Sequence, residues 1–303
     1  MSDTVRSWKF LIMLALMIMT CMGSLYAALE DFSEAIKGGS ADDAFFFLKL
    51  YTHSNGTLPS FLVFISFLGP LLGISMGFDS INTEHNRGTM SRLLAQPIYR
   101  DYILNAKFTA ALIILSTLFI SLSMAVLGFG LVFIGIPPTS EELMRIIVFT
   151  LVNIIYVGFW LNLSILFSVR FRQAATSALA GISIWLFFTI FYGMIVDLIA
   201  QGIAPARFIS ETQLVNYKRF VQNLSRLNPG QVFSDVTTTL LRPSIRSLGP
   251  LTTEQTMGAI PNPLPLGQSL MLVWPQIVAL ISGTLLFFAI AYALFMRREI
   301  RSK

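Results

Sequence analysis

Few residues in this chain have the type and spacing for bond-making chemistry. Cysteine occurs once, at Cys21 inside an apolar run, so neither an intramolecular disulfide nor a cysteine zinc site is available. The two histidines, His53 and His85, fall in separate polar segments. No H-E-x-x-H, no G-x-S-x-G and no Gly-Lys-Ser phosphate loop occurs. Catalytic residues, a metal site, a cofactor and a nucleic-acid partner are therefore not expected. Ion- or proton-coupled transport would need ionisable groups at membrane depth. Asp197 is the one candidate, and it sits near the far end of its apolar stretch, as an interfacial carboxylate would. Asn153, Asn162 and Ser164 are polar but uncharged, and such groups bond to neighbouring helices more often than they bind substrate. If the chain moves anything uphill, the energy must come from elsewhere.

The chemistry that does stand out is non-covalent docking, in the segment from Asp79 to Arg100. Met90, Leu93, Leu94 and Pro97 fall at i, i+3, i+4 and i+7 and make one apolar stripe. Glu84 and Arg87 form an i,i+3 pair away from it. Gly88 permits a bend before the stripe and Pro97 ends it. The expected product is a short amphipathic helix that either lies on lipid headgroups or fills a groove of a soluble partner. A second small piece, Arg170-Phe171-Arg172-Gln173, either holds a tight loop inside or adds another partner contact.

Composition dictates what positions these residues. Hydrophobic residues make up 54% of the 303, charged residues only 12%, and mean hydropathy is +0.70. A soluble domain carries about 25% charged residues, so this chain cannot cover a globular surface and its solvent is lipid. The 26 Phe and 4 Trp exclude disorder as well. Six apolar stretches approach the roughly 20 residues a helix needs to cross a bilayer. They are Phe10–Leu29, Leu58–Phe78, Phe108–Ile136, Ile146–Val169, about Gln173–Ala200, and Met271–Met296. No period-2 pattern of a β-barrel is present. The first stretch has the basic start of a secretion signal, but its uncharged length predicts a retained helix. Lys and Arg concentrate at Arg6–Lys9, Arg87–Lys107, Arg170–Arg172 and Arg297–Lys303, while acidic residues concentrate at 30–43 and 141–142. Both termini are therefore expected in the cytoplasm.

Between the spans, Ala44–Leu50 reads equally well as an interfacial amphipathic turn and as a plain connector. The stretch 201–270 holds Pro205, Pro229, Pro243, Pro250, Pro261, Pro263 and Pro265, yet two helices are predicted within it. In Glu211–Arg226, Leu214, Tyr217, Val221 and Leu224 share a face. In Gln231–Leu241, Val232, Phe233, Val236 and Leu240 do, between stops at Asn228-Pro229-Gly230 and Arg242-Pro243. The segment is expected as a small ordered outer cap that leans on the membrane surface or on another subunit. Pro70 and Pro275 predict kinks in spans two and six. Ser177-x-x-x-Gly181 gives span five a small-residue face, for packing within the chain or against another copy.

The stretch Glu84-x-x-x-Gly88-Thr89, Leu93-Leu94-x-x-Pro97, Arg100 and Lys107 resembles the cytoplasmic loop of type-2 ABC transporter permeases. These are exporter-type membrane subunits, such as those of sodium-efflux, peptide-resistance and nitrous-oxide-reductase maturation systems. The run Asn228 to Asp235 through Leu240-Leu241-Arg242-Pro243, and the ending Leu294-Phe295-Met296-Arg297-Arg298-Glu299, look like further elements of the family. The resemblance covers essentially all of 1–303 as one permease domain. It implies an all-α bundle of six spans in the cell membrane, non-catalytic itself, paired with a second copy or a sister permease and surrounded by lipid. A separate cytoplasmic ATPase would dock on a coupling segment at 79–107, where Glu84, Arg87, Gly88, Thr89, Leu93, Leu94, Pro97 and Arg100 would carry the contact. Arg170 and Arg172 would add to it. The connection 201–270 is longer than relatives usually have, and Val5-Arg6-Ser7-Trp8-Lys9 lacks their common Lys-Glu pair. An integral-membrane assembly factor and an ATP-independent secondary transporter are the rival functions.

Overall fold

The structure is a computed structural model and describes residues 8–37, 45–54, 58–86, 88, 99–135, 137–204, 210–250 and 263–297. Among the described residues the regular structure is helical. Span one is α1 (Trp8–Lys37), followed by the short α2 (Phe46–Thr52). Span two is α3 (Phe61–Gly77), extended by a turn into the five-residue α4 (Asn82–Asn86). Span three is α5 (Arg100–Ile134) and span four α6 (Ser140–Arg170). Span five is α7 (Ala174–Leu186), a π-helical turn at Phe187–Phe191 and α8 (Tyr192–Ile203). Two shorter helices, α9 (Glu211–Ser225) and α10 (Pro229–Leu241), precede span six, α11 (Leu266–Arg297). All six spans are long and apolar enough to cross a membrane. Spans three and four begin before their apolar stretches, at Arg100 and Ser140, because a helix continues through polar residues once propagation is established. Pro70 and Pro275 lie inside their helices.

Span four is the centre of the bundle. Span two packs on it so closely that a Cβ at position 73 would lie 2.7 Å from the Val157 carbonyl oxygen, and one at position 77 would lie 2.8 Å from that of Leu161. Only glycine allows two backbones to meet this way. Ser164 donates across the same seam to the Ile74 carbonyl (2.9 Å), and Asn162 donates to the Thr284 carbonyl of span six (3.1 Å). Ser164 and Asn162 thus bond between helices, as expected of them, whereas the fully buried Asn153 side chain finds no hydrogen-bond partner among the described residues. Ser177 and Gly181 also pack inside the chain, with Gly181 facing Ile74.

Two ends are distinguished by charge: a basic end carrying Arg100, Arg170, Arg172 and Arg297, and an opposite end where span four starts. At the opposite end, Thr139 caps α6 and forms a reciprocal capping box with Glu142. The second Glu142 oxygen accepts the Phe47 N–H (2.8 Å) and so fixes the start of α2. That helix is neither a connector nor an interfacial turn. Phe47, Leu48, Leu50 and Tyr51 are buried against the bundle, and Tyr51 contacts Phe61 and Phe149 edge-on. Burial pushes the Tyr51 phenol far above its ordinary range, and its hydroxyl donates to the Ser123 carbonyl (3.0 Å).

Arg145 is fully buried one turn further along α6. Its guanidinium donates to Glu141 (2.9 Å) and to the carbonyls of Leu240 (2.8 Å) and Leu264, and it stacks on the Phe45 ring. Four separate pieces of chain are thereby tied at one point.

Helices α9 and α10 run over the expected residues but fold into the bundle rather than lying over its end. Tyr217 donates to the Ala200 carbonyl (2.8 Å), Tyr192 to that of Leu224 (2.7 Å), and Asn228 to that of Phe188 (2.9 Å). Thus α9 descends beside span five to its midpoint. α10 then climbs beside span four: Phe233 stacks on Tyr156 at 4.2 Å, and Leu240 reaches Arg145. The cause is the apolar face of α10, whose Val232, Phe233, Val236 and Leu240 are all buried. The hairpin is closed by Arg226 on Asp235 (2.9 Å).

Candidate functional site

Span two does not stop at the basic end but turns. Residues 78–81 form the turn, with Ser80 donating to the Gly77 carbonyl (2.9 Å) and Asn82 to that of Phe78 (3.1 Å). The turn is held from the side by Ser168, near the end of span four. Its hydroxyl oxygen is fully buried and accepts the backbone N–H groups of Ile81 (2.9 Å) and Asn82 (3.2 Å). These are first-turn donors of α4, which have no partner within the helix.

From this anchor α4 projects Glu84 and Asn86. The Glu84 carboxylate accepts from the Lys107 ammonium (3.0 Å), so the segment is tied to span three. Both side chains are about a third exposed, which keeps this pair responsive to solvent and to a binding partner. Asn86 donates to the Arg172 carbonyl (3.0 Å), so the two regions singled out in the sequence, 84–88 and 170–172, are neighbours in space. Gly88 has φ 68°, a left-handed conformation that favours glycine and produces the expected bend. Arg170 and Arg172 are exposed, and Arg100 opens α5. Arg87, Thr89, Leu93, Leu94 and Pro97 lie outside the described residues, and so does the Glu84–Arg87 pair.

The arrangement has no reacting atoms to offer. It offers a small polar platform made from the ends of spans two, three and four, joined through Ser168, Lys107 and Asn86. A few bonds thus join α4 to the end of span four, next to its glycine seam with span two.

The model of the ABC-2 family transporter proteins matches residues 1–300. The chain belongs to this family. It is therefore a permease component of an ABC transporter and a multi-pass protein of the cell membrane, as its six apolar helices require. No curated protein matches the chain.

In this ABC-2 permease the platform includes Glu84 of the sequence motif, while most of that motif lies outside the described residues. Ser168 and Asn86 were not legible as parts of it. Ser168 is one small polar residue near the end of an apolar span, and only the fold shows that it receives the turn after span two. Arg145 was legible only as a charge near the end of a span, whereas it is buried at a junction.

Proposed function

We propose that this ABC-2 permease is the membrane half of an ATP-driven exporter, powered by a separate cytoplasmic ATPase that docks at the basic end. The observation that carries the reading is the joint anchoring of α4 by Ser168, Lys107 and the Arg172 carbonyl. A segment that only connected spans two and three would not need bonds to span four and to the loop that follows it. Residues 79–107 act as the coupling segment, with Glu84, Gly88 and Arg100 at its base and Arg87, Thr89, Leu93, Leu94 and Pro97 as the surface offered to the ATPase. Arg170 and Arg172 provide the second contact. The excess of Lys and Arg puts this end in the cytoplasm and 201–270 on the other side.

In this reading the permease works with a second copy or a sister permease, and lipid covers the remaining apolar surface. ATP binding by the partner moves α4, and Ser168 passes the motion to spans two and four. The hairpin α9–α10 then opens or closes the exit. The chain contributes binding, positioning and a path, and hydrolysis belongs to the partner.

Mild solubilisation of native membranes tests the assignment: a tagged chain should bring an ABC-type ATPase with it. Glu84→Arg should lower the transport-coupled ATPase roughly tenfold while the permease still folds. Adding Lys107→Glu should restore coupling if the ion pair positions α4, and should not if Glu84 touches the ATPase directly. Transport by the isolated chain in vesicles without ATP would overturn the assignment.

A further inference from the structure

A cavity of about 380 Å³ opens between α10 and spans two, four and five. This is within the usual size range of small-molecule sites. Thr52, Ser60 and Arg242 lie at its mouth, and Trp160, Phe188 and Asn228 at its floor. Trp160 follows Arg145 by fifteen residues, about 22 Å along the helix axis. The cavity therefore reaches from the opposite end to the middle of the bundle.

Its polar lining offers both acceptors and donors. Thr189 spends its proton on the Trp185 carbonyl (2.8 Å), Thr237 on that of Phe233 (2.8 Å), and Thr238 on that of Ser234. Gln231 spends an amide proton on Asp235 (2.8 Å). Asn228 uses its carbonyl on the Gly230 N–H and its amide on the Phe188 carbonyl. Threonine oxygens and the Gln231 carbonyl keep lone pairs for O–H or N–H donors of a ligand. The indole N–H of Trp160, partnerless among the described residues, and the hydroxyls of Ser60, Ser66 and Ser234 can donate to its oxygens.

Charge narrows the class further. Among the described residues no Asp or Glu lines the cavity. Arg242 is exposed at the mouth, and its guanidinium donates to the Thr52 carbonyl at 3.5 Å. Among the described residues no carboxylate forms an ion pair with it. A cation entering here would lose water with no counter-charge and with Arg242 against it. An anion would meet a planar guanidinium suited to phosphate or carboxylate. Beside the cavity, Val63 and Phe67 are half-exposed on span two and give an apolar tail a surface.

We infer that this cavity binds the headgroup of an amphiphile that carries O–H or N–H donors and one negative charge. Its role in export rests on the proposed function, but the binding itself requires no ATPase.

The test uses the purified full chain in phosphatidylcholine nanodiscs with a photoactivatable lysophosphatidylglycerol, whose headgroup has two hydroxyls and one phosphate charge. Label is expected on α10 or span two. Unlabelled lysophosphatidylglycerol should compete at a concentration at least about tenfold lower than lysophosphatidylcholine, which keeps the phosphate but replaces the hydroxyls with trimethylammonium. Dodecyltrimethylammonium should not compete. Arg242→Gln, an exposed substitution, should weaken labelling about tenfold with an unchanged elution profile. The double variant Thr237→Val/Thr238→Val should erase the preference for hydroxyls. Equal competition by all headgroups, label elsewhere, or an indifferent Arg242→Gln would overturn the inference. Adding ATP to the permease–ATPase complex separates two sources of the same chemistry: loss of label marks cargo, and retained label marks a resident lipid. A missing ATPase partner would defeat the proposed function but leave the nanodisc result readable.

Discussion

The two ends of the molecule are both tied with charged and polar side chains, but they are tied differently. At the opposite end, Arg145 is sealed from solvent and joins span four to α10, to the lead-in of span six and to Phe45. At the basic end, Glu84 and Lys107 stay partly exposed and Ser168 holds α4 by two N–H groups. A buried charge with several partners has one acceptable geometry, because each lost bond leaves a desolvated group behind. A half-exposed ion pair exchanges with water at small cost. The contrast teaches where the chain resists deformation and where it yields more easily.

The largest effect should come from breaking the sealed end. Arg145→Ala leaves the Leu240 and Leu264 carbonyls without this donor and takes the guanidinium from Glu141, which keeps the Leu266 N–H. It should cost about 3–5 kcal/mol, seen as a large fall in the temperature at which the purified protein loses monodispersity. Gly77→Ala comes next. A Cβ there meets the Leu161 carbonyl, and overpacking of roughly 1–3 kcal/mol should weaken the span two–span four seam in the same assay. Ser168→Ala removes the acceptor for two amides. It should cost about 1–3 kcal/mol locally, read as faster hydrogen exchange at Ile81 and Asn82 with a smaller change in overall melting. Glu84→Gln should change melting least, by less than about 1 kcal/mol, while still reducing coupled ATPase. If Glu84→Gln proved as damaging to melting as Arg145→Ala, the contrast between the ends would fail.

Much of this architecture was legible because it follows from pattern. Apolar length marked all six spans, and the stops at Asn228-Pro229 and Arg242-Pro243 marked α10, which runs from Pro229 to Leu241. The place of the α9–α10 pair was not legible. Its amphipathic faces require burial but do not say against what, and only the bonds of Tyr217, Tyr192 and Asn228 to span five fix its depth. The spacing of Gly69, Gly73 and Gly77, four apart, was not singled out in the sequence, because glycines inside an apolar run also pass as filler. At the candidate site, Glu84 and Gly88 were legible from spacing and bend, whereas Ser168 was not, because its function depends on a partner 86 residues away. Arg145 misled for a related reason: charge near a span end normally means water, and here α2, α10 and span six exclude it.

The glycine seam also limits how the chain moves. Where two backbones touch, no side chain between them is free to change rotamer and let one helix slide past the other. Spans two and four should therefore travel together as a single beam. Any change of shape must be taken up by the more loosely enclosed spans five and six, the former already interrupted by a wider helical turn at its centre.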